Sequence, residues 1–201
     1  MESSSDAKKD TRSFSFSLSQ TACKDLFYHY ICSGIVLLLM IERMKKIRNP
    51  YIGLEEQGYN CFACCPQNPY GLKMEFHEDG DDVVCIWNSG DNYQGWLKTL
   101  HGGIQATLMD ELGGWIVNRK LQTAGMTTNL TMKYRHPVPT GEGVSIEIRG
   151  HIREMKRNFA FIEATLSHEG KVCSECEMTY YCFSKEKAES DFFFTGCGLE
   201  D

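Results

Sequence analysis

The hydrophobic pattern alternates with period two in the first part of the folded region. Apolar and polar residues alternate from Leu72 to Phe76 and again from Val83 to Trp87, and a polar turn lies between the two runs. A period of two is typical of a strand that buries one of its faces. Two such runs joined by a short turn predict a β-hairpin.

A helical period replaces the strand period after His101. Apolar residues recur on one helical stripe, at Ile104, Leu108, Leu112 and Trp115. From Gly102 to Val117 the only charged residues are Asp110 and Glu111, and the other positions are apolar, small or neutral. A helix without a continuous polar face is normally buried on most sides, so the pattern predicts a central helix.

Four strand-like segments follow this helix, at residues 128–134, 144–152, 160–166 and 172–183. The turns between them are short, which favours antiparallel neighbours. The order of a hairpin, one buried helix and four strands predicts an α+β fold. We expect one long central helix wrapped by a curved antiparallel sheet of about six strands.

Residues 1–43 differ from the rest of the chain. They contain a Ser-rich stretch and then an apolar run at 31–41, which is shorter than the roughly 20 residues that a membrane helix needs. No small-residue cleavage site follows the run, whereas Met44-Lys45-Lys46 resembles a protein start. Three interpretations remain open: upstream sequence from a misassigned start codon, a membrane or export segment, and an extra docked helix. All three predict a domain at 44–185 that folds without the extension, followed by a tail at 186–201.

Composition and charge narrow the partners and the compartment. The net charge of −6 argues against a general nucleic-acid binder. The 42% apolar and 24% charged content is ordinary for a soluble protein, so we expect no stable membrane insertion. The ten cysteines are irregularly spaced in a domain that is too large to need disulfide staples. We therefore expect free thiols and a cytoplasmic location.

Two cysteine pairs have the spacing of a zinc knuckle, Cys61 with Cys64 and Cys173 with Cys176. The second pair falls on a predicted strand, where residues three apart point to opposite faces. A chelating knuckle needs a turn at that place. We therefore expect no bound metal and no cofactor.

The candidate chemistry lies at the start and in the middle of the predicted helix. The run His101-Gly102-Gly103 precedes it and exposes backbone N–H groups at the helix N-terminus, which favours negative charge. Asp110 follows about two and a half turns later, on a face of small residues. A buried carboxylate without a partner is costly. It is either a working group or a structural one that pins the helix to a strand.

A family resemblance bears on this choice. Residues 101–111 resemble the helix motif of PaaI-like hot-dog-fold thioesterases, and residues 60–72 and Gln94-Gly95-Trp96 resemble further elements of that family. The resemblance implies hydrolysis of an acyl-CoA thioester to a free acid and CoA. It also implies that Asp110 acts as nucleophile or general base, and that the N–H of Gly102 or Gly103 polarises the thioester carbonyl.

The remaining candidate residues follow from comparison with the family pattern. Some relatives have an Asn where Gly95 stands here, so Gln94 is the nearest amide; others have a Ser or Thr where Thr127 stands, beside Thr128. Glu111 is a second carboxylate, but helix face and family position favour Asp110. For the CoA phosphates we expect a cationic cluster on the strands after the helix, at Arg153, Lys156 and Arg157.

The resemblance also implies an assembly, with the active site between two subunits. A helix this apolar needs more cover than one sheet with open edges provides, so we expect a homodimer or a dimer of dimers. Two other functions stay open. A hot-dog dehydratase would use His101 facing a carboxylate, and a non-catalytic acyl-CoA-binding protein would not need Asp110. Aromatic, short-chain and medium-chain acyl groups are all compatible with the sequence.

Overall fold

The computed structural model describes residues 44–200, and their main feature is a seven-stranded antiparallel sheet. The strands are β1 (Lys45–Lys46), β2 (His77–Asp79), β3 (Asp82–Asn88), β6 (Gly125–Tyr134), β7 (Ser145–Lys156), β8 (Phe159–His168) and β9 (Lys171–Cys182). Their order across the sheet is β1-β2-β3-β7-β8-β9-β6. A separate two-stranded sheet is formed by β4 (Gln94–Trp96) and β5 (Thr99–Leu100), after a short 3₁₀ turn at Asp91–Tyr93.

One long helix, α1 (Gly102–Ile116), packs against the large sheet and continues into a π-helical turn at Val117–Leu121. Four side chains of α1 are completely buried: Leu108, Met109, Leu112 and Ile116. They lie against β3 and the four long strands β6 to β9. The α+β architecture expected from the sequence, a central helix on a large antiparallel sheet, is therefore confirmed.

A close approach between α1 and the sheet depends on glycine. Gly150 lies on β7, and a Cβ atom at this position would be 3.1 Å from the Cδ2 atom of Leu112 and 2.8 Å from the backbone oxygen of Glu163. Contacts this short are not tolerated by a well-packed core. The absence of a side chain at Gly150 thus lets the helix bury Leu112 against the middle of the sheet.

The predicted hairpin is present, but its first strand is displaced. The paired strand begins at His77, and residues 72–76 are outside the sheet. The N–H groups of Leu72 and Met74 instead donate to the backbone oxygens of Phe62 and Ala63. The alternation nevertheless identified the side chains that point into the core. The sheet has seven strands rather than about six because β1, which carries no hydrophobic alternation, pairs with β2.

The C-terminal segment covers the edge of the sheet next to β1. It contains α2 (Lys185–Phe192), which is capped by the Ser184 side chain, and the buried residues Phe194 and Cys197. Leu199 bridges to Ile47, and the N–H of Glu200 donates to the backbone oxygen of Lys46. The predicted extension at 1–43 lies outside the described residues, and the domain bounds at 44 and 185 remain predictions.

Two neighbouring glycines of α1 provide a matched test of this packing. A Cβ at Gly113 would lie 2.6 Å from the ring of Tyr180, whereas a Cβ at Gly114 would meet nothing within 4 Å. Gly113→Ala is expected to destabilise the fold by about 1–3 kcal/mol through overpacking. Gly114→Ala should instead stabilise it by about 0.5–1 kcal/mol, because alanine favours the helix. Urea unfolding of both variants measures the difference; equal midpoints would contradict the packing described here.

Candidate active site

Asp110 projects from α1 toward the last strands of the sheet, where two hydroxyl groups bind its carboxylate. The Oδ1 atom accepts a hydrogen bond from Thr127 Oγ1 at 2.6 Å and another from Tyr180 Oη at 3.0 Å. Tyr180 Oη also lies within hydrogen-bond distance of the backbone oxygen of Asp110. Thr127 on β6 and Tyr180 on β9 are direct cross-strand partners. The sheet register therefore brings both donors to the same carboxylate.

The Tyr180 side chain is buried and stays a neutral donor. Burial raises its pKa above the ordinary range, and the negative charge of Asp110 raises that pKa further. Its ring lies against Gly113, one turn after Asp110. Sequence reasoning missed Tyr180 because it considered only groups close to the helix along the chain. A usable signal existed: a tyrosine on the buried face of a strand needs a hydrogen-bond partner for its hydroxyl.

The second carboxylate oxygen of Asp110 is left for other partners. Within residues 44–200 no hydrogen bond reaches Oδ2, and no Lys or Arg forms an ion pair with this carboxylate. Asp110 is only partly buried. Two hydroxyls thus orient the group through Oδ1, while Oδ2 can meet a water molecule or a substrate.

The turn before α1 has one engaged and one available N–H group. The N–H of Gly103 donates to His101 Nδ1 at 2.9 Å, so His101 is the N-cap of the helix. In the described part of the chain no group accepts the N–H of Gly102, and the backbone oxygen of Gly102 accepts from Tyr134 Oη at 2.9 Å. Of the two glycines, Gly102 is therefore the one whose N–H can bind a developing oxyanion.

The structure separates the two adjacent carboxylates of α1. Glu111 accepts a hydrogen bond from Trp115 Nε1 at 2.9 Å, and the thiol of Cys61 lies 3.6 Å from its Oε2 atom. It does not join the group formed by Asp110, Thr127 and Tyr180. The choice of Asp110 over Glu111 as the working carboxylate stays a prediction.

Two further polar candidates have partners of their own. Thr128 donates to the backbone oxygen of Thr179 at 2.9 Å, and Gln94 donates to Asp91 at 2.7 Å. Neither is brought to Asp110 by a hydrogen bond. A Cβ at Gly95 would lie 3.0 Å from the Cα atom of His101. The Asn that some relatives have at this position would therefore require the His101 turn to shift.

The cationic candidates lie at the end of the β7–β8 hairpin. Arg153 pairs with Glu163 at 2.7 Å and Lys156 with Glu154 at 3.0 Å, whereas Arg157 is in the exposed turn itself. A cross-strand row at this end of the sheet runs from Met155 through Ala160 and Tyr180 to Thr127. The three cations are thus at the same end of the sheet as the hydroxyls that bind Asp110.

Comparison with known proteins bears directly on this site. Residues 97–174 match the family model described as the thioesterase superfamily. They include the glycine turn, Asp110 and Thr127. Over these residues the chain is similar to the thioesterase superfamily. The match ends before Tyr180, so the contact between Tyr180 and Asp110 is known from this structure and not from the family match.

One curated relative and several solved structures are similar to this chain. Acyl-coenzyme A thioesterase 13 of mouse is 26% identical over 98 residues, which are 47% of this chain and 69% of the relative. A solved thioesterase superfamily protein is similar with a TM-score of 0.55 and 23% identity; the match covers 60% of this chain and 62% of that one, less than two thirds of its length.

Two further structures resemble the same fold. The PaaI protein of Escherichia coli, from the phenylacetic acid degradation operon, has a TM-score of 0.51 and 13% identity, over 57% of this chain and 82% of its own. The smu.793 protein of Streptococcus mutans, bound to acetyl CoA, has a TM-score of 0.50 and 17% identity, over 56% and 90%. The expected PaaI-like hot-dog fold is confirmed. Within residues 44–200, none of the helices has the length and apolar character to span a bilayer.

The Tyr180 hydroxyl can be tested by removing it alone. A hydrogen bond to a charged group is worth about 1.5–3 kcal/mol, so Tyr180→Phe is expected to lower turnover about tenfold or more. Because the hydroxyl of Tyr180 bonds the carboxylate of Asp110, we expect its loss to lower turnover and to change KM little. Tyr181→Phe is the control, since Tyr181 packs against Phe159 and Phe183 on the opposite face of β9. Steady-state kinetics on a thioester would contradict the assignment if the two variants were equally active.

Proposed function

We propose that this protein hydrolyses an acyl-CoA thioester to a free acid and CoA, with Asp110 as nucleophile or general base and the N–H of Gly102 in the oxyanion hole. The observation that carries the proposal is the hydrogen bonding of the two carboxylate oxygens of Asp110. Its Oδ1 is bound by two neutral hydroxyls, while Oδ2 has no partner in residues 44–200. Such a carboxylate can attack the carbonyl carbon or remove a proton from an attacking water.

The thioesterase class is supported by the superfamily match and by the mouse relative, which is named as an acyl-coenzyme A thioesterase. Acyl-CoA as the substrate is also supported by the acetyl CoA bound to the Streptococcus mutans protein. The phosphates of CoA would contact the cluster of Arg153, Lys156 and Arg157. The acyl group is left open, and the cytoplasmic location is a proposal that rests on the cysteine pattern.

Helix geometry supports a site to which two subunits contribute. Asp110 and Gly102 are eight residues apart on α1, which is about 12 Å along the helix axis. A reacting carbonyl must lie within roughly 3–3.5 Å of the Gly102 N–H and of the attacking atom, which is Asp110 itself or one water bound to it. Asp110 of one copy therefore works with the Gly102 turn of a second copy, which supports a homodimer or a dimer of dimers.

Exposed apolar side chains next to the turn support the same assembly. Trp96 and Leu97 are each 82% exposed, and Tyr134 beside Gly102 is 53% exposed. Exposed aromatic groups next to one another commonly mark an interface. A second copy would cover them and bring its own Asp110 to the turn.

The alternative functions explain the site less well. A non-catalytic acyl-CoA-binding protein needs the glycine turn but gives no reason for a partly buried carboxylate with two dedicated hydroxyls. A dehydratase needs a histidine that faces the carboxylate, but His101 Nδ1 is used to cap α1. Hydrolysis accounts for both features.

Asp110→Asn tests the chemistry. The change keeps the shape of the side chain and removes its charge, so turnover should fall on the order of 10²–10⁴-fold. The folded protein should remain stable, because both hydroxyls still have an oxygen to bind. Hydrolysis of a thioester panel, measured by chromatography, avoids interference from the protein's own cysteines.

Glu111→Gln is the matched control, because Glu111 is the next residue on α1 and points elsewhere. It is expected to cost much less activity than Asp110→Asn. The proposal is wrong if Asp110→Asn hydrolyses the best thioester at the wild-type rate. Loss of activity only in Glu111→Gln would transfer the chemistry to that residue.

The shared site can be tested by complementation between inactive chains. Gly102→Pro removes the N–H, and proline is tolerated at the first position of a helix. Neither this variant nor Asp110→Asn should be active alone. Chains refolded together in equal amounts should recover about a quarter of wild-type activity, because half the dimers are mixed and one of their two sites is intact. Light scattering verifies the dimer; a monomer, or no recovery in verified mixed dimers, would contradict the shared site.

A further inference from the structure

A second cluster of reactive side chains lies on the face of α1 that carries Glu111. The donor atoms of Cys61, Cys64 and Glu111 are all within 4.8 Å of one another. The Cys61 sulfur is 3.7 Å from Oε1 of Glu111 and 3.6 Å from Oε2. The two cysteines belong to a tight turn, and the carboxylate comes from a helix 50 residues later. The fold thus brings the three groups together from distant parts of the chain.

The carboxylate of Glu111 in this cluster has no cationic side chain as a partner among the described residues. In the part of the chain that the structure describes, no Lys or Arg forms an ion pair with Glu111. Its hydrogen-bond donors are the indole of Trp115 and the thiol of Cys61. Glu111 is only partly buried, so water could satisfy the hydrogen bonds of its carboxylate. Hydrogen bonding alone therefore does not explain why two thiols lie next to it. A bound cation would explain why all three groups converge.

Each of the two sulfur atoms has a hydrogen-bond donor directed at it. The backbone N–H of Cys64 lies 3.4 Å from the Cys61 sulfur, and Tyr59 Oη lies 3.2 Å from the Cys64 sulfur. Asn49 Nδ2 donates to Tyr59 Oη at 2.8 Å, which leaves the phenol hydrogen available for the sulfur. Donors of this kind stabilise metal-bound thiolates and orient them.

We propose that Cys61, Cys64 and Glu111 bind one divalent zinc-type ion, with water as the fourth ligand. Two thiolates from a Cys-x-x-Cys turn suit a borderline-soft ion, whereas Mg²⁺ and Ca²⁺ prefer oxygen ligands throughout. On binding, the two thiol protons pass to solvent and both sulfurs coordinate as thiolates. The ion would tie the segment that leads into Phe76 to α1, on which Phe76 stacks against Trp115 with ring centroids 4.5 Å apart.

This inference departs from the sequence expectation of no bound metal. That expectation was argued from Cys173 and Cys176, which lie on β9 as predicted. It did not apply to Cys61 and Cys64, because these residues are in a turn and the third ligand was invisible along the chain. The proposal is also independent of thioester hydrolysis, since none of the three residues contacts Asp110, Thr127 or Tyr180 through a hydrogen bond.

The test uses the full chain, purified under reducing conditions without chelator. Elemental analysis should find one zinc ion per chain. After removal of the zinc, titration with Co²⁺ should produce sulfur-to-cobalt charge-transfer absorption that saturates at one ion per chain. Thermal melting should show that added zinc stabilises the metal-free protein.

Three single variants and one control separate this site from the other cysteines. Cys61→Ser and Cys64→Ser should lose most of the charge-transfer absorption, and Glu111→Gln should keep it while weakening cobalt binding about tenfold or more. Cys65→Ser is the control: it is the neighbouring buried cysteine, and its sulfur faces Gln67. It should bind cobalt like the wild type. If the cysteine variants do not fold, Glu111→Gln still decides by its altered cobalt spectrum and affinity.

Three results would overturn the proposal. The first is wild-type protein with no stoichiometric metal and no charge-transfer absorption on cobalt addition. The second is cobalt binding that is identical in wild type, Cys61→Ser and Glu111→Gln. The third is a Cys61–Cys64 disulfide in protein kept under reducing conditions, detected as a mass lower by two hydrogens and two fewer titratable thiols.

Discussion

The burial of α1 is the constraint on which the rest of the structure depends. The helix has no continuous polar face, so the sheet must cover it and its two carboxylates must find partners inside the protein. They do so on different sides. Asp110 meets the hydroxyls of β6 and β9, while Glu111 meets Trp115 and the cysteine turn. Two separate polar clusters are therefore attached to adjacent residues of one apolar helix.

Hydrophobic periodicity was sufficient to predict the helix and most strands from the sequence, but not to predict which strands pair. The switch from period two to a helical period located the hairpin, α1 and the four long strands. It misplaced the first strand, because the 72–76 segment has the burial pattern of a strand while its N–H groups bond to a preceding turn. It also missed β1, which is two lysines long and is held by main-chain hydrogen bonds that leave no mark on a hydrophobicity pattern.

The candidate site residues also divide into two groups. Some lie close together along the chain, and others are brought together only by the fold. His101, Gly102 and Asp110 are on one stretch of helix, and a resemblance along that stretch was enough to select them. Tyr180 is 70 residues from Asp110, and Cys61 is 50 residues from Glu111. Their roles depend on strand register and on how a turn meets the helix, which spacing along the chain does not encode. The proposal of Gly102 rather than Gly103 for the oxyanion hole likewise required the capping hydrogen bond of His101.

The bond between Glu200 and Lys46 has a consequence for how copies of this protein can join. Together with the bridge from Leu199 to Ile47, it occupies the outer side of β1, so that residues 198–200 cover one edge of the described sheet. Within residues 44–200, the opposite edge strand, β6, pairs with β9 on one side only. When one edge strand of a sheet is covered, further strands can add only at the other edge strand. If two copies met along β6, their combined sheet would have closed borders at both ends, and its growth would stop at a pair instead of continuing into a fibre.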